Sequence, residues 1–177
     1  MENLLNIFVK SIFIDNMIFA YFLGMCSYLA VSKKYKTAAG LGAAVIFVLA
    51  ITVPLNWLAY NYLLKEGALT WISESFVDID LEVLKFIVFI AIVAAFVQLI
   101  EMVIEKFSPS LYNALGIFLP LIAVNCSILG AALFLPSREY NLIEATTFGV
   151  GSGIGWFLAV VSLAAIREKM AYSDVPK

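Results

Sequence analysis

Histidine is absent from this sequence, cysteine occurs only twice, and 14% of the 177 residues are charged. Without imidazole the chain lacks the commonest general base near neutral pH and the commonest nitrogen ligand for a metal. The scarcity of charge and the net charge of -2 leave no basic face for a nucleic acid, so no nucleic-acid partner is expected. Two thiols are also half of what an iron-sulfur cluster ligated by cysteine alone requires. What fills the sequence is apolar: 63% of its residues are hydrophobic and the mean hydropathy is +0.99, against about 45–50% apolar content in a soluble domain. That composition belongs to an integral membrane protein surrounded by lipid.

Five apolar runs are long enough to cross a hydrocarbon core that takes about 20 helical residues. They are Leu4 to Val31, Ala38 to Leu64, Leu81 to Ile104, Leu111 to Leu135 and Ile143 to Ile166. The first carries Lys10 and Asp15 and lacks a small-residue cleavage site, so it is a retained span rather than a signal peptide. Ser32-Lys33-Lys34-Tyr35-Lys36, the acidic stretch Lys65 to Asp80, Glu105 to Pro109 and Pro136 to Asn141 connect the runs, and none has room for a soluble domain. Trp71 and Phe76 of the acidic stretch suit a membrane interface.

Lysine and arginine near span ends are retained in the cytoplasm. One side collects Lys33, Lys34, Lys36, Lys106, Arg167, Lys169 and Lys177, whereas the other has Lys65 and Arg138 in its loops. The N-terminus is therefore expected on the non-cytoplasmic side, with Glu66, Glu74, Asp78 and Asp80 outside and Lys177 inside.

The stretch Gly116 to Gly130 holds Pro120 and, at its centre, Asn125-Cys126-Ser127, with an early echo in Phe22-Leu23-Gly24-Met25-Cys26-Ser27. The later stretch reads as a helix bent to present a ligand, because proline and asparagine have no place in an unbroken lipid-facing span, and the early one lies in a similarly interrupted apolar run. The charge rule sends the first and fourth spans through the bilayer in opposite directions. The expected architecture is an all-α, polytopic bundle with inverted-repeat topology, a single membrane domain over 1–177 whose halves are 1–105 and 106–177.

For Cys26 and Cys126 the plain reading is packing, since a free thiol behaves as a small apolar residue. The sharper one is metal ligation, in which case another chain supplies the missing ligands. Asp15 and Glu101 lie inside apolar runs, where an unpaired charge costs at least about 2.5–3.5 kcal/mol. Asp15-Asn16 and the Gln98/Glu101 pair are candidates for an ion path, with helix capping or packing against another subunit as the alternative, while Lys10 is expected to snorkel outward. Gly149, Gly151, Gly153 and Gly155 superficially resemble a dinucleotide-binding loop, but no strand precedes them. Their four-residue spacings, like the small residues Ala38 to Ala44, instead predict close helix packing.

Several longer motifs carry a family resemblance: Phe22 to Cys26, Ala30-Val31-Ser32-Lys33-Lys34, Leu111 to Ile122, Val124-Asn125-Cys126, Arg138-Glu139-Tyr140-Asn141 and Tyr172-Ser173-Asp174-Val175-Pro176. The chain resembles the E subunits of the bacterial sodium-translocating NADH:quinone oxidoreductase (Nqr) and, more distantly, the A subunits of the related Rnf complex. Leu111 to Ala114, Arg138 to Asn141 and Val53-Pro54-Leu55-Asn56 lean toward Nqr.

The resemblance implies an inner-membrane component paired with a homologous membrane protein of opposite orientation, the Nqr D subunit. It implies that Cys26 and Cys126 are half the ligands of a 2Fe-2S cluster shared with that partner. The Nqr A, B, C and F subunits would complete the complex and carry its flavins, FAD, FMN and riboflavin, while NADH is oxidised, ubiquinone reduced and sodium exported. No catalytic residue is implied in this chain itself. The family pattern continues beyond the Ser173 to Pro176 motif into a sixth span, so the sequence that stops at Lys177 is expected to be truncated there. The readings from other functional classes are a secondary transporter of inverted-repeat fold and a membrane protein with a purely structural role in a complex.

Overall fold

The computed structural model describes residues 2–64, 82–107, 119–123 and 125–172. The acidic stretch with Trp71 and Phe76, residues 111–118 of the long motif, Val124 and residues 173–177 lie outside the described residues. Among the described residues all regular structure is helical. The elements are α1 (Glu2–Phe13), α2 (Met25–Val31), α3 (Tyr35–Ala59), α4 (Glu82–Phe107), α5 (Leu119–Ala123), α6 (Cys126–Arg138) and α7 (Leu142–Ala171), with a π-helical turn Tyr60–Leu64 extending α3. Four helical stretches, Tyr35–Tyr62, Leu84–Phe107, Pro120–Arg138 and Leu142–Ala171, have the length and composition to cross a membrane, and Asn3–Phe13 is a shorter apolar helix. The first expected span is thus two short helices, α1 and α2, separated by residues 14–24. This is a multi-pass, all-α membrane protein.

Lipid is as apolar as leucine, so burial of hydrophobic surface does little to hold such helices together; close approach of small residues does. The glycines of α7 do this on two faces. A Cβ on Gly149 would lie 2.9 Å from Val53, and one on Gly153 would lie 2.9 Å from the Ile46 Cα, so this face receives α3. Gly42 on α3 completes that seam under the ring of Phe157, and the order of contacts makes α3 and α7 antiparallel. The other face receives α1: Gly151 meets Ser11 and the Phe8 carbonyl, and Gly155 meets Ile12 and Asn16, in parallel order. The glycine run is therefore a two-sided packing surface inside a 30-residue helix, as its spacing predicts.

At one end of the bundle the Arg167 guanidinium donates to the Leu29 carbonyl and the Tyr35 amide donates to the Glu168 carboxylate. These bonds bring the basic turn with Lys33, Lys34 and Lys36 beside Arg167 and Lys169, the grouping that the charge rule demands. Helix α4 packs least completely, with Leu84, Phe86, Ile87, Leu99 and Met102 exposed.

Candidate functional site

Both cysteines are found where a broken span resumes. In the first, α1 ends at Phe13 and the chain makes tight turns in which the Ala20, Phe22 and Leu23 amides donate to the Asn16, Ile18 and Met17 carbonyls. Asn16 holds this excursion in place. Its Nδ2 donates to the Ile12 carbonyl, and its Oδ1 accepts from the amides of Ile18 and Phe19. The chain then passes through two left-handed residues, Phe22 with φ of 56° and Gly24 with φ of 81°, before α2 starts at Met25. For phenylalanine that backbone is strained, while glycine adopts it freely.

The second break is compact. Asn125 is the N-cap of α6, its Oδ1 accepting from the Ser127 amide at 3.0 Å, so Cys126 is the first residue of the resumed helix. Pro120 lies within α5, and the helical path breaks at Asn125, whose backbone is extended.

These two breaks touch. The Ser127 hydroxyl donates to the Leu23 carbonyl at 2.7 Å. A Cβ on Gly24 would collide with Ser127 Oγ and would lie 2.9 Å from Asn125 Oδ1 and 3.0 Å from Trp156 Nε1. Further along, Leu23 covers Gly130, the Tyr21 and Phe134 rings meet at 4.7 Å, and Arg138 reaches Asp15. As residue numbers fall in the first segment they rise in the second, so the two broken spans run antiparallel. Cys26 and Cys126, two residues past Gly24 and one before Ser127, are both free and exposed. That exposure departs from the packing reading of the thiols, which expects them buried.

Several buried polar side chains lack a hydrogen-bond partner among the described residues. Asn125 Nδ2 and Trp156 Nε1 are buried N–H donors without a hydrogen-bond partner among the described residues, as is the Ser152 hydroxyl. Asn56, two residues after Pro54 in α3, is buried with neither side-chain atom paired among them.

Asp15 sits in a different neighbourhood. Its Oδ2 is 2.6 Å from Arg138 Nη1 and 3.9 Å from Lys10 Nζ, and its Oδ1 accepts from the Tyr21 hydroxyl. Arg138 also donates to the hydroxyls of Tyr21 and Tyr140 and lies over the rings of Phe134 and Phe148. Trp57 Nε1 donates to the Tyr140 carbonyl at 2.5 Å. The carboxylate thus has a guanidinium partner in a site only partly open to its surroundings. The Lys10 side chain is half exposed, with its ammonium 3.9 Å from Asp15. Glu101 is half-buried on α4, with Gln98 exposed one turn before it, and neither belongs to the Asp15 network.

The sequence singles out Asp15 as a charge in an apolar run but does not name its partner. The signal is nonetheless present, since the charge rule puts Arg138 and the N-terminal end on the same side. The capping role of Asn125 is equally available from an Asn placed directly before a resumed apolar run.

The description "Rnf-Nqr subunit, membrane protein" matches residues 4–176. The chain is 63% identical over 177 residues to the E subunit of the Na(+)-translocating NADH-quinone reductase of Maridesulfovibrio salexigens, covering 100% of this chain and 87% of that one. The protein of the same name from Psychromonas ingrahamii is 60% identical over 176 residues, and that of Rhodopirellula baltica 55% over 183, each with 99% of this chain and 86% of the relative covered. Identity at that level over nearly the whole length, together with the helical membrane architecture, means that the chain belongs to the Rnf-Nqr family of membrane subunits.

Proposed function

We propose that this chain is a membrane component of a sodium-translocating NADH:quinone reductase of the Nqr type, in which Cys26 and Cys126 supply half the ligands of a 2Fe-2S cluster. The homologous Nqr D subunit supplies the other half. The observation that carries the reading is the meeting of two antiparallel broken spans, each resuming at a free, exposed cysteine. The donor set fits such a half-site. Both thiols face outward from the bundle, where a partner's ligands can reach the same ions, and no group of three or more metal-binding side chains occurs among the described residues. Two thiols from each of two chains give the four that the cluster takes.

When bound, a 2Fe-2S cluster accepts and releases one electron at a time. The residues of this chain hold its ligands in place. Asn125 caps the helix that begins at Cys126, and Gly24 turns the backbone into the helix that contains Cys26. The apolar bundle around them excludes water from that side of the site. NADH oxidation, the flavins and ubiquinone reduction belong to the Nqr A, B, C and F subunits, and the host membrane is the bacterial inner membrane. The names of the three relatives favour this complex over a ferredoxin-linked Rnf complex.

Inverted membrane vesicles carrying the assembled complex test this directly. Cys26→Ser and Cys126→Ser are each expected to abolish NADH-driven quinone reduction and sodium uptake while the subunits still co-purify, since serine changes little in volume. Sodium or solute uptake that persists in both variants independently of NADH would instead establish a secondary transporter.

A further inference from the structure

The two Cys-Ser dipeptides bond in different ways. Ser27 Oγ donates to the Gly24 carbonyl at 3.0 Å, three residues back in its own turn. Ser127 Oγ donates to the Leu23 carbonyl at 2.7 Å, from one broken span to the other. Ser127 is fully buried, so this bond is formed away from competing water. The approach behind it is equally particular, because the Cβ of any other residue at position 24 would collide with the same oxygen.

We infer that Ser127 and Gly24 are the positioning pair that sets the separation of the Cys26 and Cys126 thiols: the serine ties the two loops together and the glycine leaves the space in which it does so. The role rests on the reading of the thiols as ligands for its purpose, but not for its geometry. Neither residue is among the proposed iron ligands. Each acts through the backbone that carries the adjacent cysteine, since Cys126 directly precedes Ser127 and Cys26 follows Gly24 by two residues.

This is tested in the assembled membrane complex after removal of iron by chelation, with dibromobimane, which fluoresces once both of its arms are alkylated by neighbouring thiols. The wild type is expected to bridge Cys26 to Cys126, a link within this chain that peptide mass spectrometry separates from any bridge to a thiol of the partner subunit. Ser127→Ala is expected to lower the bridging rate about fivefold, the population change that loss of one buried hydrogen bond produces. Ser127→Thr, which keeps the hydroxyl, restores it. Ser27→Ala removes a hydroxyl equally close to a cysteine but not the cross-span bond, and is expected to bridge at nearly the wild-type rate. A Ser127→Ala rate equal to wild type, a fall of the same size in Ser27→Ala, or a wild type that does not bridge overturns the inference. Iron content of the untreated wild type is read in parallel. Its absence removes the cluster reading and leaves the bridging rates to decide the positioning role on their own.

Discussion

The first broken span leaves helical geometry over residues 14–24, whereas the second resumes at Cys126 directly after a single capping residue, Asn125. The long excursion is held at its start by the Asn16 side chain and is turned into the next helix by the backbone. It uses two positive φ angles, at Phe22 and Gly24, and α2 begins without a side-chain cap. The short one depends on a side chain, the Asn125 carbonyl oxygen taking the Ser127 amide. Two unlike local devices therefore deliver the same Cys-Ser dipeptide to the start of a half-helix. What the two breaks have in common is placement rather than conformation, and placement is what a shared ligand site demands.

The contrast is most exposed at Gly24. Gly24→Ala imposes a left-handed backbone on an L-residue, at about 1–2 kcal/mol, and forces a methyl group into Ser127, at about 1–3 kcal/mol more. Thermal unfolding of the purified complex should show a larger loss of stability for this substitution than for Asp15→Asn or Asn125→Ala. A Gly24→Ala complex as stable as wild type would mean that the two breaks do not touch.

Asp15, at the start of the first break, is tied to Arg138 at the end of α6, and their side chains are only 13% and 21% exposed. Asp15→Asn leaves the guanidinium without its counter-charge and should cost about 2 kcal/mol. A double-mutant cycle with Arg138→Met distinguishes a clamp from an ion path. Strong coupling of stability with unchanged sodium dependence is the outcome expected of a clamp, and sodium dependence altered in Asp15→Asn alone is that of a path.

The smallest effect belongs to the capped break. Asn125→Ala should cost about 1 kcal/mol, the usual value of an N-cap, and Asn125→Ser should return most of it. Equal stability of Asn125→Ala and wild type would place the origin of the second break elsewhere.

Much of this arrangement is legible in the sequence. Length and hydropathy mark the spans, glycine spacing marks α7 as a packing surface, and the distribution of lysine and arginine sets Lys33 to Lys36 beside Arg167. The second interruption is legible too, because Asn125 stands inside an apolar run. Its mechanism is harder to read. Proline is the stronger helix breaker in isolation, yet at Asn125 the helix is broken by a side chain that offers its carbonyl oxygen to the backbone. The Ser127 to Leu23 bond and the Arg138 to Asp15 pair join residues more than a hundred positions apart. No periodicity encodes such contacts; they follow from two spans running antiparallel.

The central claim is that Cys26 and Cys126 are ligands of one shared cluster. It is tested most directly by iron and acid-labile sulfide content, with electron paramagnetic resonance of the dithionite-reduced sample, on this chain co-purified with the Nqr D subunit. The account predicts a 2Fe-2S signal in the wild type that is lost in both Cys26→Ser and Cys126→Ser while the pair remains assembled. A folded wild-type pair without iron, or an undiminished signal in either variant, would contradict it.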